Sequence, residues 1–156
     1  MTAVLDNTQV TVMIDRSGSM GAPSKRYPGK TRFEEAAELT AGLAAIAAKH
    51  DASGKIDLVF FGGSVDHVEE VEPSRVFDVF AGSTPYGGTD LTGALTVVLK
   101  KVNGDPDPTS RHLAVCITDG EPNSRQEVFN LLKQQADNQP SDERFNIGFV
   151  QIGEDP

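Results

Sequence analysis

Three side chains that carry oxygen lie at alternate positions directly after a short apolar stretch near the start of the chain. They are Asp15, Ser17 and Ser19, in the segment VTVMIDRSGSMG. Two interpretations are open. The residues can form a polar turn whose side chains bond to the backbone. They can also hold a cation, because carboxylate and hydroxyl oxygens bind hard metal ions. This segment alone does not decide between the two.

Two further residues with oxygen-bearing side chains stand in comparable places, each before a predicted helix. Thr89 lies in the glycine-rich segment GGTD, and Asp119 follows the apolar segment that ends in ITDG. Either one alone can be explained as a helix N-cap, and Asp90, which follows Thr89, is expected to cap the helix that starts there. In open α/β sheets, however, ligands bind outside the carboxyl ends of the strands, where the strand order reverses. If the strands that end at Asp15 and Asp119 are neighbours, their loops meet there, and Thr89 can close a third side.

The five residues together form an all-oxygen set of two carboxylates and three hydroxyls, without His or Cys. Such a set suits Mg²⁺, which prefers about six oxygen ligands and commonly keeps several waters. The sequence does not choose between Mg²⁺, Mn²⁺ and Ca²⁺. Because hydroxyl ligands are neutral, they leave the metal electrophilic, and it can then accept a carboxylate from a partner.

The elements that must position these residues alternate between strand and helix. The strands are predicted in VTVMI, KIDLVFFG, VDHVEEV, RHLAVCITDG and RFNIGFVQIG, and the helices in TRFEEAAELTAGLAAIAAKH, over 73–80, from about 90 and over 124–137. VDHVEEV alternates apolar and polar residues after a Gly-Gly turn, so it is expected to be an antiparallel edge strand. The pattern predicts an α/β fold with a doubly wound, mostly parallel sheet and helices on both faces.

The first predicted helix has its own start signal and a broad apolar face. Thr31 is expected to be the N-cap, with Glu34 completing a capping box. The apolar face is expected to include Phe33, Ala37, Leu39, Leu43, Ile46 and Ala47.

Composition limits the class of protein and its partners. The chain has 156 residues, of which 38% are hydrophobic and 24% charged, so residues 1–156 are expected to form a single domain. Its net charge of −9 argues against nucleic acid or an anionic membrane as partner. The single Cys116 excludes an internal disulfide, and is expected to be a buried apolar residue. Since neither a signal peptide nor an apolar run of about 18 residues is found, a cytoplasmic location is predicted.

The chain resembles the von Willebrand factor A family, and its five residues resemble that family's metal-ion-dependent adhesion site. The pattern is Asp-x-Ser-x-Ser after the first strand, a Thr in a second loop and an Asp in a third. ASGKIDLVFFG and GGTDLTGAL look most like the intracellular branch, including bacterial stand-alone proteins of the tellurite-resistance type. The resemblance implies that Ser17, Ser19 and Thr89 contact the metal directly. It implies that Asp15 and Asp119 balance its charge, largely through water, and that a partner's Asp or Glu completes the shell.

The chain departs from the family pattern at its carboxyl-terminal end. Family members usually continue after the strand corresponding to FNIGFVQIG with a helix, a short strand and a terminal helix, whereas this sequence stops at GEDP. The domain is therefore expected to be truncated, lacking the carboxyl-terminal strand and helix. An uncovered apolar sheet face would follow, with self-association as one consequence. A conformational switch that uses the terminal helix is placed in doubt.

Three functions compete. The first is a protein-binding module whose metal coordinates an acidic residue of a partner protein. The second is a metal-dependent hydrolase or phosphatase-like enzyme that uses the same cation. An Asp-x-Asp phosphatase needs a second carboxylate where Ser17 stands, and no His lies in the predicted site loops to act as a general base. The third is a structural domain with a vestigial site, which the complete set of five residues disfavours. The prediction is a binding module and not an enzyme.

Overall fold

The computed structural model describes residues 8–49, 54–107, 109–120, 125–138 and 144–152. Five strands form one sheet in the order β3-β2-β1-β4-β5. The strands are β1 (Thr8–Asp15), β2 (Ile56–Phe61), β3 (Val65–Val71), β4 (Arg111–Thr118) and β5 (Phe145–Gln151). The α-helices are α1 (Arg32–Ala48), α2 (Val76–Ala81), α3 (Leu91–Gly104) and α4 (Arg125–Asn138), and short 3₁₀ helices occupy Gly18–Gly21 and Pro73–Arg75.

The sheet is parallel except at one edge. β1 pairs in parallel with both β2 and β4, and β4 pairs in parallel with β5. β3 is antiparallel to β2, as the alternation in VDHVEEV predicted. Strand order reverses at β1, since the chain moves from β1 to β2 on one side and reaches β4 on the other. The predicted fold class is confirmed, and the carboxyl ends of β1 and β4 lie side by side.

Helices cover both faces of the sheet, and each face has its own core. Alternate residues of β1 point to opposite faces. Val12 and Ile14 belong to the core that lies under α1 and α2. Met13 belongs to the other core, under α3 and α4, together with Cys116, which is fully buried as predicted. Because both faces of the central strands are buried, these strands contain continuous apolar runs, at residues 12–14 of β1 and 58–61 of β2.

Helix α1 begins where the sequence predicted and packs most of its expected apolar face on the core, since Phe33, Ala37 and Ala47 are buried and Leu39 and Leu43 are partly buried. The Thr31 side chain accepts a hydrogen bond from the Glu34 N–H, and the Glu34 side chain accepts one from the Thr31 N–H, which confirms the capping box. Ile46, expected to be buried, is 52% exposed. Thr40 is fully buried instead, because its hydroxyl donates to the Ala36 carbonyl at 2.8 Å and is thereby satisfied.

Some predictions fall on residues that the structure does not describe. Residue 124, the predicted first residue of the last helix, is one of them, and so are residues 153–156 at the carboxyl-terminal end. The extent of the domain and its truncation therefore stay predictions. Within the described part of the chain, no helix is both long and apolar enough to cross a membrane.

Candidate metal centre

Asp15 ends β1 and is completely buried. Its Oδ1 accepts a hydrogen bond from the Ser17 N–H at 2.7 Å, which closes a tight turn directly after the strand. Its Oδ2 accepts a hydrogen bond from the Thr118 hydroxyl at 2.7 Å, across the β1–β4 pair. Both oxygens of the carboxylate are therefore held in fixed directions at the carboxyl edge of the sheet.

The two serines follow at the 3₁₀ turn of Gly18–Gly21, with Ser17 as its N-cap residue and Ser19 within it. The Oγ atoms of Ser17 and Ser19 lie 3.1 Å apart, so the turn places both hydroxyls on one side. Ser17 is 4% exposed while Ser19 is exposed, so the pair runs from the protein interior to the surface. Met20 is fully buried and anchors the turn in the core. The motif thus forms the predicted turn and at the same time presents a hydroxyl pair.

Thr89 lies in the loop of residues 82–90, which connects α2 to α3. The Gly18 N–H donates to the Gly87 carbonyl at 3.1 Å, so this loop is bonded directly to the serine turn. The Asp90 N–H donates to the Gly62 carbonyl at 3.3 Å on the other side. Thr89 stands between these two attachments and is partly exposed. Asp90 itself caps α3, accepting from the Gly93 N–H at 2.9 Å, as predicted.

Asp119 directly follows β4 and is 2% exposed. Its Oδ2 accepts a hydrogen bond from Nη1 of Arg32 at 2.9 Å. Sequence reasoning missed Arg32, although one signal was available. A cation in the first turn of a helix opposes the helix dipole, which favours anions at that end. A basic residue at the first position of α1 therefore indicates a carboxylate close by.

The two buried carboxylates repel one another. Burial is the largest influence on Asp15 and raises its pKa, and the negative charge of Asp119 raises it further. Hydrogen bonds from Ser17 and Thr118 oppose this shift without cancelling it, so the pKa stays above its ordinary value. A cation placed between these groups would relieve both the desolvation and the repulsion. The candidate ligands thus fit a hard divalent ion in two ways: their donor atoms are all oxygen, and their negative charges would be balanced by the ion.

The candidate centre depends on hydroxyls rather than on a carboxylate cluster. Within the described ranges, no group of three or more His, Cys, Asp or Glu side chains could hold a metal ion. His67 and His112 lie elsewhere, hydrogen bonding with Asp57 and Asp105 respectively at 2.9 Å. The third histidine, at position 50, lies outside the described residues. The structure therefore brings Asp15, the two serines and Asp119 to one edge, with the loop that carries Thr89 bonded to them.

Comparisons with known proteins agree with this fold. The family model for the von Willebrand factor type A domain matches residues 10–121. The structure of the manganese-loaded TRAP protein of Plasmodium vivax has a TM-score of 0.71 at 20% identity, covering 96% of this chain and 59% of that chain. The conserved hypothetical protein BatB of Bacteroides thetaiotaomicron has a TM-score of 0.69 at 19% identity, covering 92% of this chain and 66% of that one.

A further similar structure is the von Willebrand factor type A protein of Catenulispora acidiphila. Its TM-score is 0.71 at 20% identity, with 96% of this chain and 34% of that chain covered. No curated protein matches the sequence. The chain therefore spans about a third to two thirds of these three structures, and what it shares with them is the fold.

Proposed function

The chain belongs to the von Willebrand factor type A family, and on that basis we propose that it is a protein-binding module that depends on a divalent metal. The observation that carries the proposal is the meeting of two buried carboxylates with a hydroxyl pair at one edge of the sheet. Ser17, Ser19 and Thr89 hold the ion directly. Asp15 and Asp119 balance the positive charge of the ion, largely through water. The site is then a metal-ion-dependent adhesion site, with Mg²⁺ as the first candidate and Mn²⁺ or Ca²⁺ as alternatives.

The metal supplies one chemistry when it is bound, which is an electrophilic centre for a partner's carboxylate. The protein's own residues keep that centre electron-poor, because the hydroxyls are neutral and the two carboxylates are already engaged by Ser17, Thr118 and Arg32. An Asp or Glu from a partner protein completes the set. The similar Plasmodium protein is manganese-loaded, which supports a metal for this fold without identifying the ion here.

The charge around the site supports an acidic partner. Residues 16–32 include five basic residues and no acidic one, although the whole chain has a net charge of −9. Lys25 and Arg26 are exposed in this segment, and three other basic residues pair with carboxylates: Arg16 with Asp66, Lys30 with Glu38 and Arg32 with Asp119. The positive charge of the exposed Lys25 and Arg26, on an otherwise acidic molecule, would steer carboxylate-bearing partners toward this loop. Nucleic acid and anionic membranes are not part of the proposal, and a cytoplasmic location stays a prediction.

Titration with Mn²⁺ tests the metal. We expect calorimetry to show binding to the wild type, with a rise in melting temperature because the ion binds only the native state. Asp119→Ala should weaken binding by roughly 10–100-fold. Asp78→Ala, which removes an exposed acid on α2, is the matched control and should bind like the wild type. Equal affinity in Asp119→Ala and the wild type would contradict the assignment of the site.

A capture experiment tests the partner. Protein retained by the immobilised chain should be released by EDTA and should return with Mg²⁺ or Mn²⁺. Substitution of one acidic residue in the captured protein should abolish retention. Retention that EDTA does not affect would count against the proposal.

The proposal assigns no catalytic activity to the chain. The competing function, a metal-dependent hydrolase, has its own signature. Turnover of phosphoesters by the wild type that is lost in Ser19→Ala would support that enzyme over a binding module.

A further inference from the structure

Arg16 occupies the position between Asp15 and Ser17 and is only 5% exposed, which is unusual for an arginine. Its backbone N–H donates to the Phe61 carbonyl at 2.7 Å, and its carbonyl accepts from the Tyr86 N–H at 2.8 Å. The residue therefore lies between the end of β2 and the loop 82–90. Neither function considered for the metal site uses its guanidinium.

The guanidinium reaches two other segments of the chain. Its Nη1 donates to the Ser83 hydroxyl at 2.9 Å, in the loop 82–90. Its Nη2 donates to the Ser64 hydroxyl at 2.9 Å and forms an ion pair with Asp66 at 2.5 Å, in and after the turn between β2 and β3. The Nε atom is buried and has no hydrogen-bond partner among the described residues, so the two terminal nitrogens hold the group.

Tyr86 connects the same two segments. The guanidinium carbon of Arg16 lies 5.3 Å from the centre of the Tyr86 ring, a distance typical of a cation–π contact. The Tyr86 hydroxyl lies 2.6 Å from the Ser64 hydroxyl, which also accepts from Arg16. The loop 82–90 is thus attached to Arg16 at Ser83 and at Tyr86, only a few residues before Thr89.

We propose that Arg16 is a positioning residue for the metal centre, acting through the loop 82–90 on Thr89. Its contacts fix this loop against the serine turn, where the Gly18 N–H meets the Gly87 carbonyl at 3.1 Å. They thereby set where the Thr89 hydroxyl lies relative to those of Ser17 and Ser19. The inference rests on the proposed function, since it concerns the affinity of the same site.

The choice of arginine has a physical reason. Burying a guanidinium costs desolvation free energy that its hydrogen bonds must offset. An apolar side chain would fill the same space without this cost. Only a planar fork delivers directional hydrogen bonds to Ser83 and Ser64 together while its face meets an aromatic ring. Lysine keeps the charge and loses the fork, so Arg16→Lys separates these two properties.

Mn²⁺ affinity measured by calorimetry tests the inference. Arg16→Gln should bind Mn²⁺ roughly tenfold more weakly than the wild type. Arg16→Lys should show a smaller loss. Cooperative unfolding in EDTA establishes that each variant is folded. Arg75→Gln, at an exposed arginine in the 3₁₀ helix before α2, is the matched control and should leave the affinity unchanged.

A double-mutant cycle distinguishes positioning of Thr89 from a general structural effect. In a Thr89→Ala background, Arg16→Gln should have almost no further effect on Mn²⁺ affinity. In a Ser19→Ala background, the roughly tenfold loss should persist. Wild-type affinity in Arg16→Gln, or an equal loss in both backgrounds, would overturn the inference while the metal site stands. Absence of Mn²⁺ binding by the wild type would overturn the proposed function, and this inference with it.

Discussion

The Arg32–Asp119 ion pair gives the candidate centre an internal positive charge. The side chains are 13% and 3% exposed, so solvent screens the pair only weakly. Asp119 is therefore shared between the guanidinium and any cation that binds at the site. In the proposed site, Arg32 would therefore stabilise the metal-free protein while competing with the metal for Asp119.

Arg32→Gln should change both the stability without metal and the effect of metal on it. Without metal the variant should unfold more easily, by about 3 kcal/mol, because Asp119 keeps its buried charge and loses its partner. The rise in melting temperature caused by Mn²⁺ should be larger than in the wild type, since the ion then compensates Asp119 alone. Thermal unfolding in EDTA and in Mn²⁺ measures both effects.

Lys30→Gln is the matched control for Arg32→Gln. Lys30 pairs with Glu38 at 2.7 Å, but the side chains are 43% and 36% exposed. Such a surface pair contributes about 0–1 kcal/mol. A loss of stability in Lys30→Gln as large as that in Arg32→Gln would contradict the view that burial makes the difference.

At the scale of elements, the loop 82–90 is held so closely that one position requires glycine. Gly87 has a φ of +77°, and a Cβ at this residue would lie 2.8 Å from the backbone of Gly63. Gly87→Ala should therefore destabilise the protein by about 1–3 kcal/mol and weaken Mn²⁺ binding, because the loop must move away from the serine turn. Urea unfolding and calorimetry measure the two effects.

Gly42→Ala provides the opposite control for that substitution. Gly42 is exposed within α1, and a Cβ there meets nothing within 4 Å. Alanine should stabilise the helix by about 0.5–1 kcal/mol and leave Mn²⁺ binding unchanged. If both alanine variants changed affinity equally, the loop's close packing would not be the cause.

A second cluster of charges joins three elements at the opposite end of the sheet. Asp57 of β2 is 4% exposed, accepts from Lys101 of α3 and from the Glu70 N–H, and hydrogen bonds with His67 of β3. Burial is the largest influence and would raise the pKa of Asp57. The bonds from Lys101, Glu70 and His67 together outweigh it, and the pKa falls below its ordinary value of 3.8.

This lowered pKa has a consequence for stability as a function of pH. Because the folded-state pKa lies below the unfolded one, the cluster stabilises the protein fully above the ordinary pKa of 3.8, and the contribution disappears as pH falls through the folded-state value. Asp57→Asn should cost about 2 kcal/mol at neutral pH, and less and less below about pH 4. Urea unfolding over a pH series measures the difference.

At the scale of the whole molecule, the β5 end of the sheet exposes apolar side chains on both faces. Phe149 is 53% exposed and Val150 is 37% exposed, and successive residues of a strand point to opposite sides. Among the described residues, β5 pairs only with β4, so its outer edge has no partner strand. An unpaired edge with exposed apolar residues is a template for association.

We expect the chain to self-associate through this edge at high concentration. Sedimentation at increasing concentration should show association in the wild type, and Phe149→Lys should reduce it. Phe77→Lys, at a phenylalanine of α2 that is 49% exposed, is the matched control and should associate like the wild type. A monomer at all concentrations, or an equal effect of both substitutions, would contradict this expectation.

Short-range patterns in the amino-acid sequence were enough to predict the elements and the local chemistry of the first site loop. Alternation of apolar residues indicated β3 as an edge strand, and buried apolar runs indicated the strands beside it. The capping box at Thr31 and the N-cap at Asp90 were readable because both partners lie within three residues. The turn at Asp15, Ser17 and Ser19 could be predicted for the same reason, and the role of these residues as metal ligands stays a prediction. Such patterns can be predicted because they consist of residue types at fixed, short spacings along the chain.

The sequence predicted that three loops meet at the carboxyl edge, but the hydrogen-bonded pairs that join distant segments there could be identified only from the folded chain. Arg16 bonds to Ser83, Arg32 to Asp119 and Asp15 to Thr118, across separations of 67, 87 and 103 residues. No periodicity encodes such pairs. Packing also decided the limits of the buried face of α1, since Ile46 is exposed while the polar Thr40 is buried. Sheet order brings the three loops together, and burial there strengthens the interactions between their charges. The energy of such an interaction depends on the distance between the charges and on how far they lie from solvent.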